Sequence, residues 1–198
     1  MKISKDFIQH VRDHLKEYDF RLILAKSKQV NTGTGFRCSG FFDEYTRQIR
    51  VAMYSSQWLE VLVHEYCHFL DYLDSPRKEL DKENSAVHIC ERHMSGDICH
   101  PISVKSAFYR IRLAEWKAEK RVPSIIRQWN LPINIQRYIR EANLNICLYH
   151  MYMKYGRYNT KGNPVNSKVL AKMPKRISRR MVSEISDDIE KALIEYFQ

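Results

Sequence analysis

His64-Glu65-Tyr66-Cys67-His68 brings two imidazoles and a carboxylate together within five residues. On a helix, residues four apart lie one turn apart on the same face, so both ring nitrogens can reach one metal ion. Glu65, beside the first, is placed to hold a water next to that ion. The surrounding stretch, Trp58 to Leu73, is apolar. Leu59, Leu62, Val63, Tyr66, Leu70 and Leu73 cover one broad side, and His64, Glu65 and His68 share the other with Val61 and Trp58. Such a helix belongs inside a domain, where an unpaired polar group costs on the order of several kcal/mol. One metal ion would satisfy all three groups, and this is the equipment of a zinc hydrolase. The plainer expectation is a pair of histidines bonded to backbone carbonyls. Cys67 lies on the side away from the metal position and reads as packing rather than as a nucleophile.

A catalytic zinc typically has three protein ligands and keeps a fourth position open, and three candidates compete for the third place. Asp74 extends the motif to HExxHxxDxxD. Without a glycine to break the helix after His68, Asp74 points roughly 120° away from it. Glu115 belongs to the helical segment Ser103 to Val122, with Pro123 just past its end. It sits within the apolar stripe Ala107, Phe108, Ile111, Ala114, Ala118 and Val122. A carboxylate on a buried face needs a reason. Glu119 follows one turn later, where it can accept the free ring N–H of a ligating histidine. The surface alternative pairs these carboxylates with Arg112 and Lys120. The stretch His88 to His100 offers His88, Cys90, His93, Cys99 and His100, which could supply the third ligand or make a separate structural zinc site, or else be an insertion with Cys90 and Cys99 as small buried side chains.

His64, Glu65 and His68, followed by a helix carrying Glu115-Trp116-Lys117-Ala118-Glu119, resemble the zincin metallopeptidase superfamily and its gluzincin branch. The chain is similar to the compact ImmA/IrrE-type metallopeptidases, whose second helix carries an ExxA-type sequence that Glu115 to Ala118 matches. The resemblance covers about residues 1–123. It implies a metallopeptidase in which Zn2+ is held by His64, His68 and Glu115, Glu119 supports a histidine, and Glu65 acts as general base on a peptide substrate. The oxyanion of peptide hydrolysis needs a second donor besides the metal. Tyr109 and Arg112, just before Glu115, are candidates, with Tyr155 or Arg157 as alternatives. The rival expectation is a non-catalytic, zinc-stabilised scaffold of the same type.

The elements that must position these groups follow from periodicity and punctuation. Ser4 to Tyr18 has helical spacing, Phe20 to Ala25, Phe36 to Phe42 and Gln48 to Tyr54 read as strands, and Asn31 to Gly35 is a turn. The expected fold is α+β and zincin-like, a small N-terminal sheet packed on the HExxH helix and a second ligand helix, with an α-helical C-terminal extension. Residues 1–123 would form the metallopeptidase domain, with a Cys/His-rich insert at about 76–102. Residues 124–198 would form the basic helical extension, with helices over Ile133 to Tyr155 and Val182 to Phe197.

Charge separates the two halves. Residues 1–100 carry 14 basic and 15 acidic side chains, whereas residues 101–198 carry 19 and 8. Lys168, Lys172, Lys175, Arg176, Arg179 and Arg180 cluster before the last helix, which suits nucleic acid or an acidic protein partner, or else is a solvated surface. No segment is apolar enough to span a membrane and the N-terminus lacks the apolar core of a signal peptide, so a cytoplasmic protein that does not engage membranes is expected. Five cysteines without a regular framework fit reduced thiols. The oligomeric state has no signature in the sequence.

Overall fold

The computed structural model describes residues 2–32, 36–74, 85–97, 100–158, 167–181 and 185–197 and gives a mixed α+β architecture. Its elements fall into two compact units. The first joins Met1–Arg77 to Ala118–Ile135, and the second joins Lys78–Lys117 to Gln136–Gln198. Among the described residues, no helix is long and apolar enough to cross a membrane.

In the first unit α1 (Lys2–Glu17) buries Phe7, Val11 and Leu15, which recur every four residues and so form one stripe. The helix ends where Asp19 takes a positive φ of 61° and the Phe20 N–H turns back to the Leu15 carbonyl at 2.9 Å. The chain then enters β1 (Arg21–Ala25). A short two-residue ladder, β2 (Val30–Asn31) with β3 (Arg37–Cys38), precedes β4 (Gly40–Asp43) and β5 (Gln48–Ala52). β5 is the central strand, parallel to β1 and antiparallel to β4. Asp43 shapes the β4–β5 turn: its carboxylate accepts the backbone N–H groups of Tyr45 and Thr46 and the Thr46 hydroxyl, while Arg47 takes a positive φ of 51°. The single strand expected over Phe36 to Phe42 is divided at Ser39, whose carbonyl nevertheless accepts from Ala52 N–H at 2.9 Å.

α2 (Trp58–Asp74) packs on β4 and β5 and carries the HExxH motif. Leu62, Val63 and Phe69 are fully buried, and the Phe69 ring meets those of Phe20, Phe42 and Tyr66. β4 comes closest to this helix at Gly40, where an added Cβ would stand 2.5 Å from Val61 Cγ1 and 3.0 Å from the Arg50 carbonyl oxygen. On the other side of α2 the Tyr66 hydroxyl bridges His14 Nδ1 at 2.7 Å and His10 Nε2 at 3.2 Å, and the His10 ring stacks at a tilt on Trp129. Burial, then the neighbouring His14, lowers the pKa of His10, while Asp13 and Glu17 act against this. Burial also pushes the Tyr66 phenol up to about 12.

α4 (Pro101–Gln128) runs through Pro123, where the sequence suggested an end, and residue 123 is therefore inside a helix. A proline there removes one helical hydrogen bond, the one to the Glu119 carbonyl. The helix keeps Val122 and Ile126 buried on either side of it, and that burial offsets the loss.

The second unit is helical. Ser85 caps α3 (Ala86–Met94) by accepting the His88 N–H at 3.2 Å, so residues 86–94 of the expected Cys/His-rich insert form a regular helix, while residues 75–84 and 98–99 lie outside the described residues. Ala86 and Cys90 of α3 pack with Val104, Ala107 and Phe108 of α4. α5 (Ile135–Tyr155) ends at Gly156, whose φ of 61° suits a residue without a Cβ. α6 (Ser167–Lys172) and α7 (Asp187–Ile194) close a second cluster around Leu144, Met151, Val169, Leu193 and Phe197. α7 is shorter than the helix expected from residue 182. Ser186 is extended at its start, and Asp187, Asp188 and Glu190 favour a first turn there. Residues 182–184 lie outside the described residues.

Two expectations follow. Gly40→Ala should lose about 1–3 kcal/mol of stability by overpacking β4 against α2, measured by denaturant unfolding; an unchanged midpoint would refute the close approach. His10 has a folded pKa below its unfolded value near 6.5, so its contribution is fully present above about pH 6.5 and is lost as pH falls through the lowered folded value. Thermal melts from pH 8 to 5 should therefore fall steeply below that point, and less steeply for His10→Gln. Parallel curves for the two proteins would exclude His10 as the source.

Candidate metal centre

The apolar periodicity of α2 seats the helix on the sheet, and the motif residues occupy the side left over. His64 and His68, one turn apart, aim their Nε2 atoms at each other at 3.0 Å, with ring centroids 4.6 Å apart and planes at 87°. Donor atoms of His64, Glu65 and His68 all lie within 4.8 Å of one another. Glu65 is buried at 8% exposure.

The last part of α4 supplies the partner. Glu119 is 4% exposed, and its Oε1 stands 3.2 Å from His64 Nδ1. A carboxylate beside Nδ1 favours the tautomer that carries its proton on that nitrogen, leaving a lone pair on His64 Nε2 that faces His68. Two lone pairs at 3.0 Å repel, so the space between the Nε2 atoms requires a proton or a cation. Two ligands about 2.0–2.1 Å from a tetrahedral ion lie roughly 3.3 Å apart, and imidazole with carboxylate is a donor set that suits zinc. The residues present thus fit a metal ion.

Glu115 precedes Glu119 by one turn of the same helix, and the carboxylate oxygens of the two lie within 4.8 Å of one another. Within its own unit Glu115 Oε1 accepts a hydrogen bond from the Tyr149 hydroxyl of α5 at 3.4 Å. Asp74, the alternative ligand, is instead held by Arg121, which also bonds Asp71 at 2.7 Å. Burial lowers the Arg121 pKa, but Asp74 and Asp71 together carry it above its ordinary value. The Arg121 pair ties α4 to α2 two residues past Glu119.

The other expected residues fall elsewhere. Tyr109 is 53% exposed and, six residues before Glu115, points roughly 120° away from it around the helix. Arg112 is buried, which pulls its guanidinium below the ordinary value, and it lies near Cys147. His93 Nε2 contacts the Met153 carbonyl at 3.1 Å and its ring meets Phe108. Among the described residues the metal-capable groups contain none of His88, Cys90, His93 or His100; Cys99 lies outside those residues. Burial pushes the Cys67 thiol up to about 12, which keeps it protonated and inert.

Arg121 and Tyr149 are the residues that sequence reasoning missed. Each acts across helices, at separations of 47 and 34 residues from Asp74 and Glu115, so no local spacing announces either.

Compared with models of known protein families, with curated proteins and with solved structures, the chain shows no match.

Proposed function

We propose that the chain is a zinc-dependent metallopeptidase of the zincin type, gluzincin-like in its ligands. The observation that carries this reading is the convergence of His64 Nε2 and His68 Nε2 at 3.0 Å, with Glu119 at 3.2 Å from the opposite ring nitrogen of His64. A purely structural site has no need of Glu65, whose buried carboxylate adjoins both imidazoles.

His64, His68 and Glu115 would hold the metal. Glu115 is chosen because it shares a face of α4 with Glu119, one turn away, and Glu119 already meets His64. When bound, zinc supplies Lewis acidity, lowering the pKa of a water toward about 7 and polarising a carbonyl.

Glu65 accepts the proton of the attacking water as the water oxygen bonds to the peptide carbonyl carbon. It then passes that proton to the amine nitrogen as the C–N bond breaks. Glu119 orients His64 and fixes its tautomer. Tyr149, hydrogen-bonded to Glu115, replaces Tyr109 as the donor best placed to serve the oxyanion. Among the described residues β4 has a sheet neighbour on one side only, β5, and packs beside α2, so its other edge suits an extended peptide added as a strand.

Elemental analysis of the purified protein should find about one zinc per chain, and substantially less in His64→Ala and Glu115→Ala. Glu65→Gln should keep the metal and lose cleavage of labelled casein by about 10²- to 10⁴-fold. Wild-type protein without metal, or full cleavage by Glu65→Gln, would reject the proposal. Tyr149→Phe removes only a hydroxyl; its kcat should fall by about 10²- to 10³-fold at unchanged zinc content. An unaltered kcat would remove Tyr149 from the chemistry and leave the metal ligands standing.

A further inference from the structure

Within residues 168–180 of the second unit stand six basic side chains and no acidic one. Lys168, Lys172, Lys175, Arg176, Arg179 and Arg180 are all exposed. Three exposed cations elsewhere in the same unit do meet carboxylates: Lys154 meets Glu190, Arg137 meets Glu141 and Arg92 meets Asp97. None of the six takes part in an ion pair among the described residues.

The backbone that carries these charges is fastened down. The Asn143 side-chain amide donates to the carbonyls of Pro174 and Arg176 at 3.0 and 3.2 Å, and Trp116 Nε1 donates to the Ser178 carbonyl at 3.1 Å. Val169 and Met173 are buried in the core cluster of this unit. Like charges on a free tail spread apart at little cost. Here side chains of α4 and α5 hold them in one strip, and the repulsion remains unless an anion relieves it.

The strip also lacks what other anionic partners use. Its large apolar residues are buried or half-buried, and none is among the exposed large hydrophobic side chains of the unit, Val87, Ile102 and Tyr109. A specific protein interface has an apolar centre, and a membrane-surface segment has an apolar face to insert. What remains is a row of donors, half of them planar guanidinium forks that match phosphate oxygens. We propose that residues 168–180 form a sequence-independent binding surface for the phosphate backbone of nucleic acid, a function separate from the metal centre.

The binding follows counterion release, with a slope of log K against log salt near −0.9 per phosphate neutralised on duplex DNA. Fluorescence anisotropy with two labelled DNA duplexes of unrelated sequence tests it. Wild-type protein should bind both alike, and affinity should fall about 10³-fold between 50 and 200 mM salt if all six side chains engage. The variant Lys175→Ser, Arg176→Ser, Arg179→Ser, Arg180→Ser should keep its melting temperature, since these side chains are exposed, and should flatten the slope by about 3 to 4. Single replacements of Arg176 and Arg179 should each flatten it by about 0.9. Absence of binding at 50 mM salt, an unchanged slope in the variants, or equal affinity for polyglutamate or for phosphatidylserine vesicles would each overturn the assignment.

Discussion

The first unit is organised around a charge problem, that of two carboxylates and two imidazoles placed among apolar side chains. Glu119 and Glu65 are 4% and 8% exposed, and their neighbours in sequence on α4 and α2 include Ala118, Val122, Leu62, Val63 and Cys67. Withdrawing a carboxylate from water costs several kcal/mol unless a cation or strong donors replace the water. His64 answers part of that need for Glu119 at 3.2 Å. The contact therefore fixes the pairing of the two helices. A slip of one residue along α4 turns Glu119 by about 100° and presents Ala118 or Lys120 to the imidazole instead. Arg121 reinforces the same register by holding Asp71 and Asp74. An isolated surface pair contributes little, but one guanidinium shared by two carboxylates loses its side-chain entropy only once.

Read in this way, the parts of the site legible in the sequence are those governed by the period of a single helix. HExxH places its imidazoles by the helical repeat alone, and the apolar stripe of α4 marks Glu115 and Glu119 as carboxylates on a buried face. The short apolar runs of β1 and β5 and the four-residue stripe of α1 were readable from local pattern too. Contacts between segments distant in the chain were not. Nothing near Arg121 says that it meets α2, and nothing near Tyr149 says that it meets Glu115, because both depend on how helices pack. The unbroken course of α4 through Pro123 belongs to this class, since the burial of Val122 and Ile126 outweighs the local preference.

That continuity bears on the proposed ligand set. The proline withdraws the hydrogen bond that would close on the Glu119 carbonyl, so any local loosening of α4 begins after Glu119. The turn from Glu115 to Glu119 lies wholly before that point and keeps regular helical spacing. Both carboxylates then face one way because of α4 itself, whatever the packing around it.

The carboxylates and the basic strip follow opposite electrostatic logic, which is why one chain can hold both. Charges at the candidate metal centre are few and buried, so salt has little access to them. Charges on residues 168–180 are many, exposed and unbalanced, so their energy is set by the ionic atmosphere. A buried charged group favours one geometry and resists substitution, whereas an exposed unbalanced row tolerates many geometries of a phosphate backbone. The chemistry proposed for α2 needs the first property, and a sequence-independent hold on phosphate needs the second.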